Sequence, residues 1–180
     1  MKKIILTIVA IVAIAAIAFV LYQFFVPKSP RETVTFNGND IEITLEYSKP
    51  YKKGRLIFGE AKDEALLPYG QYWRLGANAS TDITFSKDVL FAGKPVPAGT
   101  YRMYAVPGPG TFQIALNSEA GVSAAHNEPD YTKDVVKVDV PVETVKETEQ
   151  LSISFSDASN VINMDIEWDK IRLRIPIDAQ

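Results

Sequence analysis

The sequence contains no cysteine, which excludes disulfide staples, thiolate metal centres, a lipid-modified cysteine and a cysteine nucleophile together. It has one histidine, His126, so a multi-histidine zinc site is out of reach. Neither an H-E-x-x-H nor a G-x-S-x-G pattern is present to place a zinc or an elbow serine. An excess of positive charge is missing too: the formal net charge is −3 with the signs intermixed, which argues against nucleic acid as a partner. Beyond the N-terminus no segment carries a long 3.6-residue apolar stripe, and only residues 118–127 leave room for a helical turn or two. The sequence implies no metal and no cofactor, and any chemistry falls to oxygen and nitrogen side chains.

What the chain does have is a hydrophobic run at its start. Residues 4–26 include no charged side chain, with only Thr7 and Gln23 polar. At about 1.5 Å per residue, a helix of that length matches the roughly 30 Å hydrocarbon core of a bilayer. Lys2 and Lys3 followed by Ala16-Ile17-Ala18 also fit a cleavable signal peptide, but the apolar run continues to Val26, past the about 7–15 residues of an h-region. The sequence therefore predicts residues 1–3 as a cytoplasmic tip, 4–26 as an uncleaved transmembrane anchor and 27–32 as a stalk stiffened by Pro27 and Pro30. Residues 33–180 then form a periplasmic or extracellular domain, secreted if the segment is cut. Lys2 and Lys3 on one side balance Lys28 and Arg31 on the other, so charge leaves the orientation open.

Period-2 alternation dominates the remainder: Ile41, Ile43, Leu45 and Tyr47; Leu151, Ile153 and Phe155; Ile162, Met164, Ile166 and Trp168; Ile171, Leu173, Ile175 and Ile177. Turn signals punctuate these runs at Asn37-Gly38-Asn39-Asp40, Ala92-Gly93-Lys94-Pro95, Pro97-Ala98-Gly99, Pro107-Gly108-Pro109-Gly110 and Asp157-Ala158-Ser159-Asn160. The expected fold is all-β: an antiparallel β-sandwich, immunoglobulin-like or jelly-roll-like, of about ten short strands. Arg172 and Arg174 alternate with the apolar residues of the last strand and are expected on its solvated face.

Several ordered blocks resemble a bacterial family, the domain of unknown function 2911. They are Ser48-Lys49-Pro50, Lys53-Gly54-Arg55, Ile57-Phe58-Gly59, Pro68-Tyr69-Gly70, Trp73-Arg74 and Gly76-Ala77-Asn78. The resemblance continues through Ile83–Val89, Gly93-Lys94, Pro97–Tyr101 and Pro107-Gly108 to Trp168-Asp169-Lys170, spanning about residues 31–177. It implies a secreted or envelope-attached β-rich protein without an established activity. The chain departs from the family pattern at Leu75, where a small polar residue is usual, and at Ala79-Ser80, where the pair usually begins with an acid.

The densest constellation is residues 69–78, in which Tyr69, Tyr72, Trp73, Arg74 and Asn78 gather three aromatic rings, a guanidinium and an amide between glycines. Aromatic faces stack on sugar rings, arginine grips carboxylate or phosphate, and asparagine both donates and accepts. With Arg55 these residues form a candidate ligand-binding site. The competing structural reading makes Trp73 a core residue and Gly76-Ala77-Asn78 a turn that needs positive φ. Lys49, Lys52, Lys53 and Arg55 beside Tyr51 form a basic cluster suited to anionic lipid headgroups or an acidic glycan, or simply a solvated loop. His126 lies near Glu128 and Asp130, and Asp63, Glu64, Asp82 and Asp165 complete the carboxylates open to a glycosidase pair. The Asn37–Asp40 turn is a weak echo of a calcium loop.

These features suit recognition better than catalysis. The expected function is a membrane-tethered module that binds a carbohydrate, a peptide or an envelope protein, with no catalytic residue assigned. An envelope hydrolase and a purely structural envelope protein are the alternatives. On the recognition reading, alanine at Trp73 and Arg74 abolishes ligand capture while Tm hardly moves.

Overall fold

The computed structural model describes residues 2–25, 29–158 and 161–180. Helix α1 (Lys2–Phe25) is long and apolar enough to cross a membrane, a test that a signal sequence also passes. The rest of the described chain is mostly antiparallel β-sheet.

Strands β1 (Arg31–Gly38) and β2 (Ile41–Ser48) are joined by Asn39 and Asp40, both at positive φ (51° and 58°). Two left-handed residues make the tight turn whose twist matches that of paired strands, and asparagine and aspartate tolerate that conformation. The turn explains the calcium-loop echo. β1 begins at Arg31, two residues inside the expected stalk; Pro27 and Lys28 lie outside the described residues.

β2 pairs with β5 (Thr81–Phe85), β5 with β8 (Gly99–Val106), β8 with β9 (Thr111–Asn117), and β9 with the start of β10 (Asp134–Ala158). At Pro141, which has no N–H to give the ladder, β10 leaves β9 and from Val142 onward pairs with β11 (Val161–Ala179). Register shifts between Thr144 and Thr148 and between Thr148 and Ser152 bend this long hairpin. The hairpin of β6 (Val89–Phe91) and β7 (Lys94–Val96) turns on Ala92-Gly93, again at positive φ, and completes the order β1-β2-β5-β8-β9-β10-β11-β6-β7.

Three expectations need correction. Among the described residues the strands number eleven, in line with the ten or so expected, but β10 and β11 run 25 and 19 residues rather than being short. One pair, β3 (Phe58–Gly59) with β4 (Leu67–Pro68), is parallel. Residues 118–127 form no helix, because their polar groups bond outward: Gly121 N donates to Asp82 Oδ2, Ser80 N to Val122 O, and Ala125 N to Asn78 O. The turn signal at residues 157–160 ends on Ser159 and Asn160, outside the described residues.

The alternating residues face a single interior. Ile43 and Leu45 of β2, Ile83 of β5, Met103 of β8, Ile153 of β10 and Ile166 of β11 belong to one buried cluster. Each such side chain contributes about 1.5–3 kcal/mol on burial. Arg172 and Arg174 do occupy the outer face, each gripping a carboxylate: Glu143 (2.7 Å) and Asp165 (2.7 Å) respectively.

Tyr47 pins β2 to β10, since its buried hydroxyl accepts from Ile153 N (2.9 Å) and donates to Glu32 Oε2 (3.2 Å). Burial holds the Tyr47 and Tyr104 hydroxyls far above the ordinary tyrosine value of 10.0, and burial with the Glu128 hydrogen bond pushes Tyr131 up to about 12. The native fold thus keeps these protons more tightly than the unfolded chain. Their stabilising contribution is complete below pH 10 and is lost as pH rises through the native values. Absorbance titration at alkaline pH is expected to show Tyr47 and Tyr104 ionising only together with unfolding; reversible ionisation in the folded protein would contradict this.

Candidate functional site

Residues 72–75 behave as a short extended segment. Trp73 N donates to Ala105 O and Ala105 N to Trp73 O, both at 2.8 Å, so the segment is pinned to β8. Side chains then alternate: Trp73 and Leu75 are buried, Tyr72 and Arg74 half-buried. The chain turns sharply afterwards. Leu75 and Asn78 both adopt left-handed φ (55° and 62°), as the turn reading expects for asparagine. For leucine the conformation costs about 1–2 kcal/mol, which complete burial of its side chain offsets. Gly76 is required for proximity rather than for φ, because a Cβ there would stand 2.9 Å from Ser48 O.

Trp73 is 2% exposed, with its ring 6.1 Å from Trp168 in a stacked pair and 5.4 Å from Phe58 edge-on. Its faces are therefore committed to the core and do not form the stacking platform the sequence suggested. Above this pair lies a pocket of about 510 Å³. Of the six residues singled out from sequence, Arg55, Tyr72, Trp73, Arg74 and Asn78 border it. Tyr69 does not: it is half-buried against the core, its N–H bonded to Gly59 O.

The pocket carries Lys53, Arg55 and Arg74, and among the described residues no aspartate, glutamate or histidine lines it. Arg55 donates Nε to Lys52 O (2.9 Å) and Nη2 to Tyr51 O, which fixes its own loop. Arg74 Nη1 lies 2.8 Å from His126 Nδ1; a guanidinium has only donors, so Nδ1 accepts. None of the three cations forms an ion pair among the described residues. The rest of the expected basic cluster is neutralised. Lys49 pairs with Glu32 (2.5 Å), and Lys52 with Asp169 (2.6 Å) and Glu147 (2.8 Å). Hydrogen bonds donated to Asp169 and then Glu147 raise the Lys52 pKa, and the same lysine lowers that of Glu147.

Both tryptophans beside the pocket also carry an unsatisfied donor inside the core. Trp73 and Trp168 both border the pocket, and the Nε1–H of each is buried with no acceptor among the described residues. An unsatisfied buried donor costs about 1–3 kcal/mol.

The other candidate groups are dispersed. Glu128 accepts from Tyr131 Oη, Asp130 caps the 3₁₀ turn at Thr132, and Asp165 holds Arg174; hydrogen bonds from Thr132 lower the Asp130 pKa. Asp63 and Glu64 belong to a 3₁₀ turn and its C-cap, and Asp82 to β5. Among the described residues no three His, Asp or Glu side chains gather as a metal site.

Sequence reasoning missed Trp168 and Arg102. Trp168 was read as one residue of an alternating strand and of the last block of the family resemblance, 95 positions from Trp73, and nothing local announces that they meet. Arg102 is 3% exposed, donating Nη2 to Tyr72 Oη and to Asn127 O (2.8 Å). It anchors the ring that borders the pocket, and its signal was a lone arginine among the buried residues of β8.

Comparison with curated proteins and with solved structures finds no match. A family model described as "Protein of unknown function (DUF2911)" matches residues 29–177, and the chain belongs to that family.

Proposed function

We propose that the protein is a membrane-tethered, extracytoplasmic binding module of the bacterial envelope, in which the sheet folds over as an immunoglobulin-like or jelly-roll-like sandwich. Its Trp73 pocket takes a carbohydrate, a peptide or a segment of an envelope protein that bears an anionic group. The observation carrying this reading is the one-sided chemistry of the wall. Among the described residues, three cations without ion-pair partners border it, with no carboxylate or imidazole in its lining. Such a wall grips an anion through charge-assisted hydrogen bonds.

Intrinsic fluorescence tests it directly, because the only two tryptophans of the chain both border the pocket. Titration with acidic and neutral sugars and peptides is expected to change indole emission with the anionic ligands alone. Arg74→Gln should weaken that binding by roughly 10–100-fold while stability changes by no more than about 1.5 kcal/mol. Turnover of a bound ligand would replace the reading with a hydrolase.

A further inference from the structure

Three independent features of the pocket point to one source of ligand. The first is position. Ser29 borders the pocket and lies four residues after Phe25, where α1 ends. Four residues span at most about 14 Å, so a chain anchored through α1 holds this pocket at or just outside the headgroup layer. The second is the rim. Outside α1, the exposed large apolar side chains among the described residues are Tyr51, Leu56, Leu66, Tyr131 and Val135. Tyr51 and Leu66 border the pocket, and Leu56 adjoins them, its carbonyl accepting from Leu66 N (2.9 Å). The third is the wall, where Lys53, Arg55 and Arg74 stand without ion-pair partners among the described residues.

A soluble acidic sugar would satisfy the wall and leave the rim facing water. A lipid satisfies both, since its phosphate takes the three cations while the glycerol and the first acyl carbons cover leucine and tyrosine. We propose that the pocket holds the anionic, phosphate-bearing headgroup of a lipid drawn from the bilayer in which the chain is itself anchored. This deepens the binding-module reading and rests on it and on retention of the anchor.

The full chain would be placed in nanodiscs of phosphatidylcholine alone or mixed with phosphatidylglycerol, and indole emission recorded. A change confined to the anionic discs, lost in the Lys53→Gln/Arg74→Gln double variant with Tm retained, is the expected result. In detergent, short-chain phosphatidylglycerol should then bind at least about tenfold tighter than glycerol phosphate, because only the lipid covers the rim. Identical emission in both discs overturns the proposal, as does equal affinity for the two soluble ligands, which would make the source a free anion. The mass of the chain purified from membranes separates these failures from loss of the anchor. Binding of an acidic sugar or peptide with no lipid effect would leave the module reading standing and remove the lipid.

Discussion

Trp73→Ala is expected to destabilise the domain by about 3–5 kcal/mol, lowering Tm by roughly 10 °C or more for a domain of this size. The indole is 2% exposed and packs against Trp168 and Phe58, which itself meets Phe112 (5.1 Å) and Trp168 (6.1 Å) edge-on. Removing it leaves a void in an aromatic cluster whose members are fixed by separate strands, and the walls cannot collapse into it. Trp73→Phe should recover much of the loss, because the cluster keeps a ring at that place. Urea denaturation of the three proteins measures this, and a loss below about 1 kcal/mol would show that the pocket above the ring absorbs the change. The sequence grouped Trp73 with Arg74 as residues whose removal spares Tm. The structure separates them, and only Arg74 remains a clean probe of binding.

Asp134→Ala is expected to cost about 2–4 kcal/mol and to reach the pocket from a distance. The Asp134 carboxylate accepts from Tyr104 Oη, Asn117 Nδ2 and Lys137 Nζ, each at 2.8 Å. Tyr104 and Asn117 are 1% and 0% exposed, so both would be left as buried polar groups without that partner. Asn117 also holds the loop that follows β9, donating to Asp130 O (2.9 Å) and accepting from Glu119 N (2.9 Å). That loop carries the Ala125 N–H bonded to Asn78 O and the imidazole facing Arg74. Hydrogen exchange should therefore accelerate across residues 118–133, and ligand affinity should fall although Asp134 is not among the residues bordering the pocket. Asp134→Asn keeps one acceptor oxygen where the carboxylate offers two, and an intermediate loss is expected. Unchanged exchange in the loop would disconnect the network from the site.

Local signals carried most of the fold. Ile41, Ile43, Leu45 and Tyr47 alternate because β2 has one face inside, and all four are buried. Asn39-Asp40 and Ala92-Gly93 read as turns because few residues accept positive φ, and all four adopt it. The apolar N-terminus read as a helix of membrane-spanning length, and the ordered blocks named the family over nearly the span that matches. The long β10–β11 hairpin was less legible, since the bulges that bend it come from register shifts rather than composition. For the site, residues 69–78 were visible as a dense polar–aromatic run, yet the run alone could not say which rings face inward. Pinning of Trp73 to Ala105 decides that for Trp73, and the bond of Tyr69 N to Gly59 O holds Tyr69 outside the pocket lining.

By itself the sequence determined the all-β character, the hairpin turns, the apolar helix and the family, because each depends on side-chain periodicity or backbone preference within a few residues. Only the tertiary structure decided that Trp73 and Trp168 share a wall, that Lys53, Arg55 and Arg74 stand there without ion-pair partners among the described residues, and that Glu32, Glu147 and Asp169 neutralise Lys49 and Lys52. Those convergences join residues up to 117 positions apart. They are fixed by strand register and by which strands pair, quantities that no local pattern encodes.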